Sequence, residues 1–272
     1  MAKDASQKDL SADINAASSG VAVLDRAFAI LNAFGPTDDR LTLTELSRRT
    51  DLYKSTVLRL LGALEHGGFI RKLSDGQYAI GHQPLRLATL YQRSFQVGPA
   101  VEPLLQQLSA ELGETASFYV RQGDHRLVLY RVEPSRSVRV SIRVGEEFAI
   151  DKGASGKVLM AFTETQDPRW QEIRDRLWAL SFGERDPETA SASVPVFDSF
   201  GELQGALTLS GPKGRFDVPA VINAALASLL DSARRATVAL GGKGLRYDAS
   251  IASLAQTPVT TGASEIARGT AV

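Results

Sequence analysis

The chain has 272 residues, room for two modest domains or one large one, with 43% hydrophobic and 23% charged side chains, an ordinary balance for a globular protein. Its 31 basic and 31 acidic side chains cancel, so any nucleic-acid partner must be met by local charge rather than by a global excess. Cysteine is absent, which excludes disulfides, thiol nucleophiles and thiolate metal sites; no run of about 18 apolar residues and no basic-then-apolar leader occurs, and the expectation is a soluble, cytoplasmic protein.

In chain order, residues 1–20 are rich in Ala, Ser and Asp, keep no apolar period, and are expected to form a flexible tail. A first helix is predicted from Val21 to Phe34, with Leu24, Ala27, Phe28 and Leu31 inward and Gly35-Pro36 as the stop. Leu41-Thr42-Leu43 is long enough only for an edge strand. Thr44 is then expected to cap a second helix that runs through Arg49, with Leu46 on the core. After the turn Thr50-Asp51-Leu52, a third helix begins near Tyr53. Its Val57, Leu60, Leu61 and Leu64 stand at i, i+3, i+4 and i+7, one buried stripe. Ser55, Arg59, Gly62 and His66 point the other way, with Tyr53, Lys54 and Thr56 at the first turn. Gly67-Gly68 ends the helix, and two β-rich runs follow around Ser74-Asp75-Gly76, a composition suited to a tight hairpin.

Two helices, a turn, a third helix and a hairpin define a winged helix-turn-helix over residues 21–82. Such a third helix fills the major groove of double-stranded DNA while the wing meets the backbone. Local charge agrees: Arg40, Arg48, Arg49, Lys54, Arg59, Arg71 and Lys72 face only Glu45, Asp51 and Glu65. The candidate DNA contacts are Thr44, Arg48, Tyr53, Lys54, Ser55, Thr56, Arg59, Arg71 and Lys72. Gly62 costs about 1 kcal/mol of helix propensity relative to Ala, which close approach of a ligand to the backbone would explain. The pattern also allows a helical hairpin with solvated charges that packs on another protein.

A connecting helix is predicted within residues 83–97, carrying Leu85, Leu87, Leu90 and Tyr91. Residues 98–242 then read as an α+β domain. A helix through Val101, Leu104, Leu105, Leu108 and Leu112 ends at Gly113, and two strands flank Gly123-Asp124. A strictly alternating run, Val138 to Val144, reads as a further strand; two more strands flank Gly201, and a long helix covers about Pro219 to Leu240. Hairpin-connected strands with flanking helices indicate an antiparallel sheet with room for a small-molecule pocket. Residues 243–272 are expected to be a loose C-terminal tail.

Enzyme motifs fail when tested. "DKGASGKV" at 151–158 has Asp151 where a phosphate loop begins with Gly and Val158 where its magnesium-holding Ser or Thr belongs; as a nucleophile elbow its closing Gly is Lys157. The three histidines, His66, His82 and His125, show no paired metal spacing. No catalytic group, metal or cofactor is expected.

"LTLTELSRRTDLYKSTVLRLLGALEHGGFIRKLSDGQYAIG" resembles the DNA-binding domain of the IclR family of bacterial transcription regulators, with Lys54 to Leu61 as its most specific core. The similarity extends through "GASGKVLMAF" at 153–162 and "GALTLSGPKGRF" at 205–216, nearly everything between the tails. Asp51 and Tyr53 stand where the family usually has Gly and Pro, and Ser191 where many relatives have Cys. The resemblance implies a GAF-like C-terminal domain that senses a small-molecule effector, often a carboxylate or aromatic acid. Its binding residues would be Gly153, Ala154, Ser155, Ser191, Thr208 and Ser210. It also implies a homodimer or dimer of dimers, no membrane partner, and more often repression than activation of a palindromic operator. Arg139 and Arg143 are either solvated or turned into the pocket. The alternative is a metabolite-binding enzyme or adaptor whose winged helix serves protein contact.

Overall fold

The computed structural model describes residues 19–35, 37–94 and 96–260, apart from the side chains of Gln92 and Ser94. Residues 1–18 and 261–272, read from sequence as loose ends, lie outside the described residues. The chain divides between Tyr91 and Gln92 into two compact units.

The first unit contains α1 (Ala22–Asn32), α2 (Leu43–Thr50), α3 (Lys54–His66), β1 (Ile70–Lys72), β2 (Tyr78–Ile80) and the start of α4 (Gln83–Ser94). Its core joins Ile30, Leu46, Val57, Leu60, Leu61, Ile70 and Tyr78, so the apolar stripe of α3 is buried as its spacing requires. The stripe expected of α1 is not. Ile30 is its buried residue, whereas Leu24 and Phe28 stand about half exposed beside Val21 and Val23. Leu85, Leu87, Leu90 and Tyr91 on α4 are exposed as well.

The cap of α2 also differs from expectation. Thr42, in extended conformation, accepts a hydrogen bond from the Glu45 amide at 3.1 Å, which leaves Thr44 inside the first turn. The reason is Leu41, whose backbone pairs with Tyr78 as a single bridge, two 2.8 Å hydrogen bonds, and holds Thr42 extended. The predicted edge strand is reduced to that bridge. Asp51 closes α2 in the left-handed region (φ 54°, ψ 29°), a conformation in which a side chain is strained and glycine is not. Asp51→Gly is therefore expected to raise stability by up to about 1 kcal/mol, read as a higher urea midpoint at unchanged slope.

The second unit is a six-stranded antiparallel sheet in the order β5-β4-β3-β8-β7-β6: β3 (Thr115–Gln122), β4 (His125–Val132), β5 (Glu147–Ala149), β6 (Ala179–Phe182), β7 (Thr189–Phe197) and β8 (Leu203–Pro212). Strand alternation splits the residues between two faces. Ala116, Phe118, Ala190, Ala192, Val194, Leu207 and Leu209 pack with α5 (Gly98–Leu112) and α9 (Pro219–Ala239) in the larger core. Tyr119, Ala179 and Ala206 pack beneath α6 (Gly153–Thr163) with Val158 and Leu159. Short helices α7 (Gln171–Arg176) and α8 (Lys213–Phe216) complete the connections before α9.

Two expectations for this unit give way. The alternating run at 138–144 forms no strand, because no neighbouring strand offers it a ladder. Val140 and Ile142 are still buried, and the Val140 carbonyl is held by side chains instead, Thr115 Oγ1 and Arg131 Nη2, each at 2.8 Å. The expected C-terminal tail is ordered through Thr260: a 3-10 turn at Gly244–Tyr247 leads into α10 (Asp248–Gln256). Tyr247 is fully buried; its hydroxyl donates to the Pro195 carbonyl at 2.7 Å and lies 2.8 Å from Thr237 Oγ1.

Candidate functional site

The first site is the outer face of α3. Tyr53 precedes the helix at 85% exposure, and its backbone (φ −58°, ψ 139°) sets the entry without a side-chain cap. Lys54, Ser55, Leu58, Arg59, Gly62 and His66 are exposed and Thr56 is partly so. Among the described residues, none forms a hydrogen bond or ion pair with the side chains of Lys54, Ser55 or Arg59. A surface that is polar, basic and uncommitted is free to meet a polyanion.

The wing is a two-stranded hairpin with Arg71 opposite Ala79 and Lys72 opposite Tyr78. Arg71 and Lys72 are exposed, and the Lys72 ammonium lies 6.0 Å from the Tyr78 ring centre. Arg40 bonds Asp75 at 3.1 Å across the wing turn.

Not all the local positive charge is free. Arg48 holds Glu45 with two hydrogen bonds of 2.6 and 3.0 Å, and Arg49 holds Glu45 at 2.7 Å while pairing with Asp38. These two guanidiniums pull the Glu45 carboxylate down to about 2. Arg49 also donates to the Ala33 carbonyl at 2.9 Å, so it ties α2 to the end of α1. Arg48 stays largely exposed beside Thr44, with its fork already occupied.

The second site lies where the amino end of α6 meets the sheet. Strand register brings hydroxyl side chains together in two rows on the face beneath α6. Ser181, Ser191, Ser210 and Thr115 pair successively across β6, β7, β8 and β3; Ser193, Thr208 and Ser117 form the next row. Ser193 and Thr208 hydroxyls are 2.8 Å apart. Above this floor, Gly153 starts α6 with φ 82°, where a Cβ would lie 2.6 Å from Arg126 Nη1. Gly156 sits so close to the Ile150 carbonyl that a Cβ would stand 1.9 Å from its oxygen. The glycines of "GASG" thus serve close packing, not a phosphate loop.

Between floor and helix is a narrow cavity of about 20 Å³, lined by Gly153, Ser155, Ser191, Thr208 and Ser210 of the sequence-predicted set. Ala154 is just outside it, its amide directed at Ser191 Oγ at 3.4 Å. The Gly153 amide donates to Glu184 Oε2 at 3.0 Å, and Glu184 also pairs with Lys157. The arginines that enter the lining are Arg126 and Arg185, which the sequence did not single out. Arg139 instead pairs with Glu133, outside the cavity. Ser181, Thr189 and Tyr119 complete the polar lining. The alternate-position hydroxyls of "SAS" and "TLS" were the available signal for the floor; Arg126 had none.

A winged helix-turn-helix joined to a separate sheet domain with a polar cavity is the build of a DNA-binding transcriptional regulator. Family profiles agree in both halves: the IclR helix-turn-helix domain matches residues 23–74, and the bacterial transcriptional regulator IclR C-terminal domain matches residues 89–169 and 168–238. The chain belongs to the IclR family. It is 28% identical over 243 residues to the HTH-type transcriptional regulator BhcR of Paracoccus denitrificans, an alignment that spans 80% of this chain and 86% of that one. It is 24% identical over 247 residues to the transcriptional repressor IclR of Escherichia coli, across 80% of this chain and 90% of the relative. Among solved structures, an IclR homologue from Microbacterium hydrocarbonoxydans in complex with 4-hydroxybenzoate shares the fold at a TM-score of 0.66. Its identity is 19%, over 80% of this chain and 98% of that one. The relatives are transcriptional regulators rather than enzymes.

Proposed function

We propose that this chain is a repressor that binds a palindromic operator as a homodimer and is released or retained according to occupancy of the α6 cavity by a small organic acid. The observation that carries the reading is the uncommitted face of α3. Lys54, Ser55 and Arg59 are exposed and, among the described residues, unpaired on the helix whose other side is the core, with Arg71 and Lys72 on the adjoining wing. Tyr53, Thr56, Thr44 and Arg48 border that face. The repressor assignment draws on the E. coli relative, and the acid on the 4-hydroxybenzoate complex.

A homodimer supplies the two half-sites of a palindrome, and the exposed apolar residues of α1, Val21, Val23, Leu24 and Phe28, are the surface we assign to the second copy. Ligand control then requires only that the acid bind the operator-competent and operator-incompetent states unequally. The test is selection of genomic fragments by the purified protein at two salt concentrations. Recovery of one short palindrome is expected, bound with an affinity that falls steeply with salt. Lys72→Ala is expected to lower the log–log salt slope by about 1 per protomer. Equal recovery of all fragments would sink the operator reading and favour a protein partner for α3.

A further inference from the structure

The first unit turns two of its arginines on its own carboxylates. Glu45, in the first turn of α2, receives Arg48 Nη2 at 2.6 Å and Arg49 Nε at 2.7 Å on Oε1, and Arg48 Nε at 3.0 Å on Oε2. Thr42 to Glu45 has the T-x-x-E spacing of a capping box, in which the glutamate turns back to the amide of the cap residue. Here both oxygens go forward to the arginines, and the cap is made by Thr42 Oγ1.

The two arginines are held differently. Arg49 also pairs with Asp38 and donates to the Ala33 carbonyl at 2.9 Å, so its guanidinium belongs to the joint between α1 and α2. The Arg48 side chain is 70% exposed, and the hydrogen bonds it makes among the described residues go to Glu45. Two guanidiniums, Arg48 and Arg49, stand against two carboxylates, Glu45 and Asp38, a cluster with no net charge. Lys54 and Arg59 on α3 are exposed and have no such partner among the described residues.

The place of α2 gives this pairing its meaning. It is the first helix of the helix-turn-helix pair, fixed to the turn by Ser47 Oγ, which donates to the Leu52 carbonyl at 2.6 Å. In that motif the second helix enters the major groove and the first crosses the phosphate backbone. An exposed arginine on the first helix is therefore placed for phosphate, which it grips best through two parallel N–H groups. In Arg48 the edge formed by Nε and Nη2 is already closed on a carboxylate, and the charge behind it is matched. A phosphate takes that edge only by displacing Glu45, which then stands beside the polyanion with one partner fewer.

We infer that Glu45 is a positioning residue for DNA binding: it withholds Arg48 from the phosphate backbone and so limits affinity for DNA of any sequence. Arg48, expected from the sequence to contact DNA, is then silent in the wild type. This rests on the reading of α3 and the wing as the DNA face, and it concerns phosphate contact, which all sequences share.

The experiment measures the affinity of the full-length protein for the selected palindrome and for a scrambled duplex of equal length, by fluorescence anisotropy from about 50 to about 200 mM salt. Wild type is compared with Glu45→Gln, Arg48→Gln and the double variant, each checked by thermal unfolding. Glu45→Gln is expected to steepen the log–log salt slope by about 1 per protomer on both duplexes, roughly a further three- to fourfold loss over that range. The ratio of the two affinities is expected to stay as in wild type. Arg48→Gln alone is expected to keep the wild-type slope, and the double variant to return to it. A glutamate that only stabilised the helix would move the melting temperature and not the slope. A pure effect of net charge would make the slope of Arg48→Gln shallower. The inference is overturned if Glu45→Gln leaves the slope unchanged or makes it shallower, if Arg48→Gln alone lowers it by about 1 per protomer, or if the double variant keeps the steeper slope. Should Glu45→Gln fail to fold, Arg48→Gln decides by itself, because its slope is measured with Glu45 in place. If wild type selects no palindrome, the operator reading fails and the scrambled duplex alone judges Glu45. If neither wild type nor Glu45→Gln binds either duplex, both readings fall.

Discussion

Tyr247→Ala is expected to destabilise the second unit by about 3–5 kcal/mol, the range for emptying a buried aromatic site. The residue lies in the stretch that sequence alone assigned to a tail, so the size of the effect measures how completely that stretch belongs to the fold. Its hydroxyl ends a short chain of bonds: the Phe197 amide donates to Thr237 Oγ1 at 3.1 Å, Thr237 meets Tyr247, and Tyr247 donates to the Pro195 carbonyl at 2.7 Å. Burial moves the phenol well above its ordinary value, so it remains a donor at every working pH. Tyr247→Phe keeps the ring and removes the bonds; a loss of about 1–3 kcal/mol is expected, from acceptors left unpaired. Calorimetry on the full chain shows which transition moves. A transition of the second unit unchanged by the alanine variant would mean that α10 and its turn are dispensable to the core.

Arg59→Ala is expected to weaken binding to the selected palindrome by about 1–3 kcal/mol per half-site, roughly ten- to a hundredfold, while leaving stability unchanged. The second half of that statement comes from the structure: Arg59 is exposed and has no partner among the described residues, so its removal leaves no orphaned acceptor. Fluorescence anisotropy with the palindrome and a scrambled duplex separates the possible roles. A larger loss on the palindrome places Arg59 on a base edge. Equal losses place it on phosphate, and no loss on either removes it from the interface.

What could be read from the amino-acid sequence was whatever depends on neighbours a turn or two away. The α3 stripe of Val57, Leu60 and Leu61 repeats at helical spacing, and burial follows from the repeat. The hairpin is set by Ser74-Asp75-Gly76, with Gly76 at φ 82°. Where the outcome depends on distant partners, local pattern fails. Val138 to Val144 alternates as a strand does, but strands need a ladder, and the chain supplies side-chain tethers from Thr115 and Arg131 instead. Leu24 and Phe28 have the spacing of a core stripe, yet a single chain gives them no core to enter. Thr42 rather than Thr44 caps α2 because Tyr78, 37 residues on by the numbering, pins Leu41. The cavity shows both cases. Ser191, Thr208 and Ser210 were within reach of motif comparison, whereas Arg126 enters the lining only because β4 and the start of α6 converge there.

The tightness of that cavity has a consequence for timing. A space of about 20 Å³ holds little more than one water. Arg185, on the connection between β6 and β7, lines it, and the neighbouring Glu184 accepts from the amide of Gly153, itself a lining residue. A ligand larger than a water would enter such a space only from an opened state, so opening would precede docking. For a site of that kind the measured affinity is the intrinsic affinity multiplied by the fraction of time it is open.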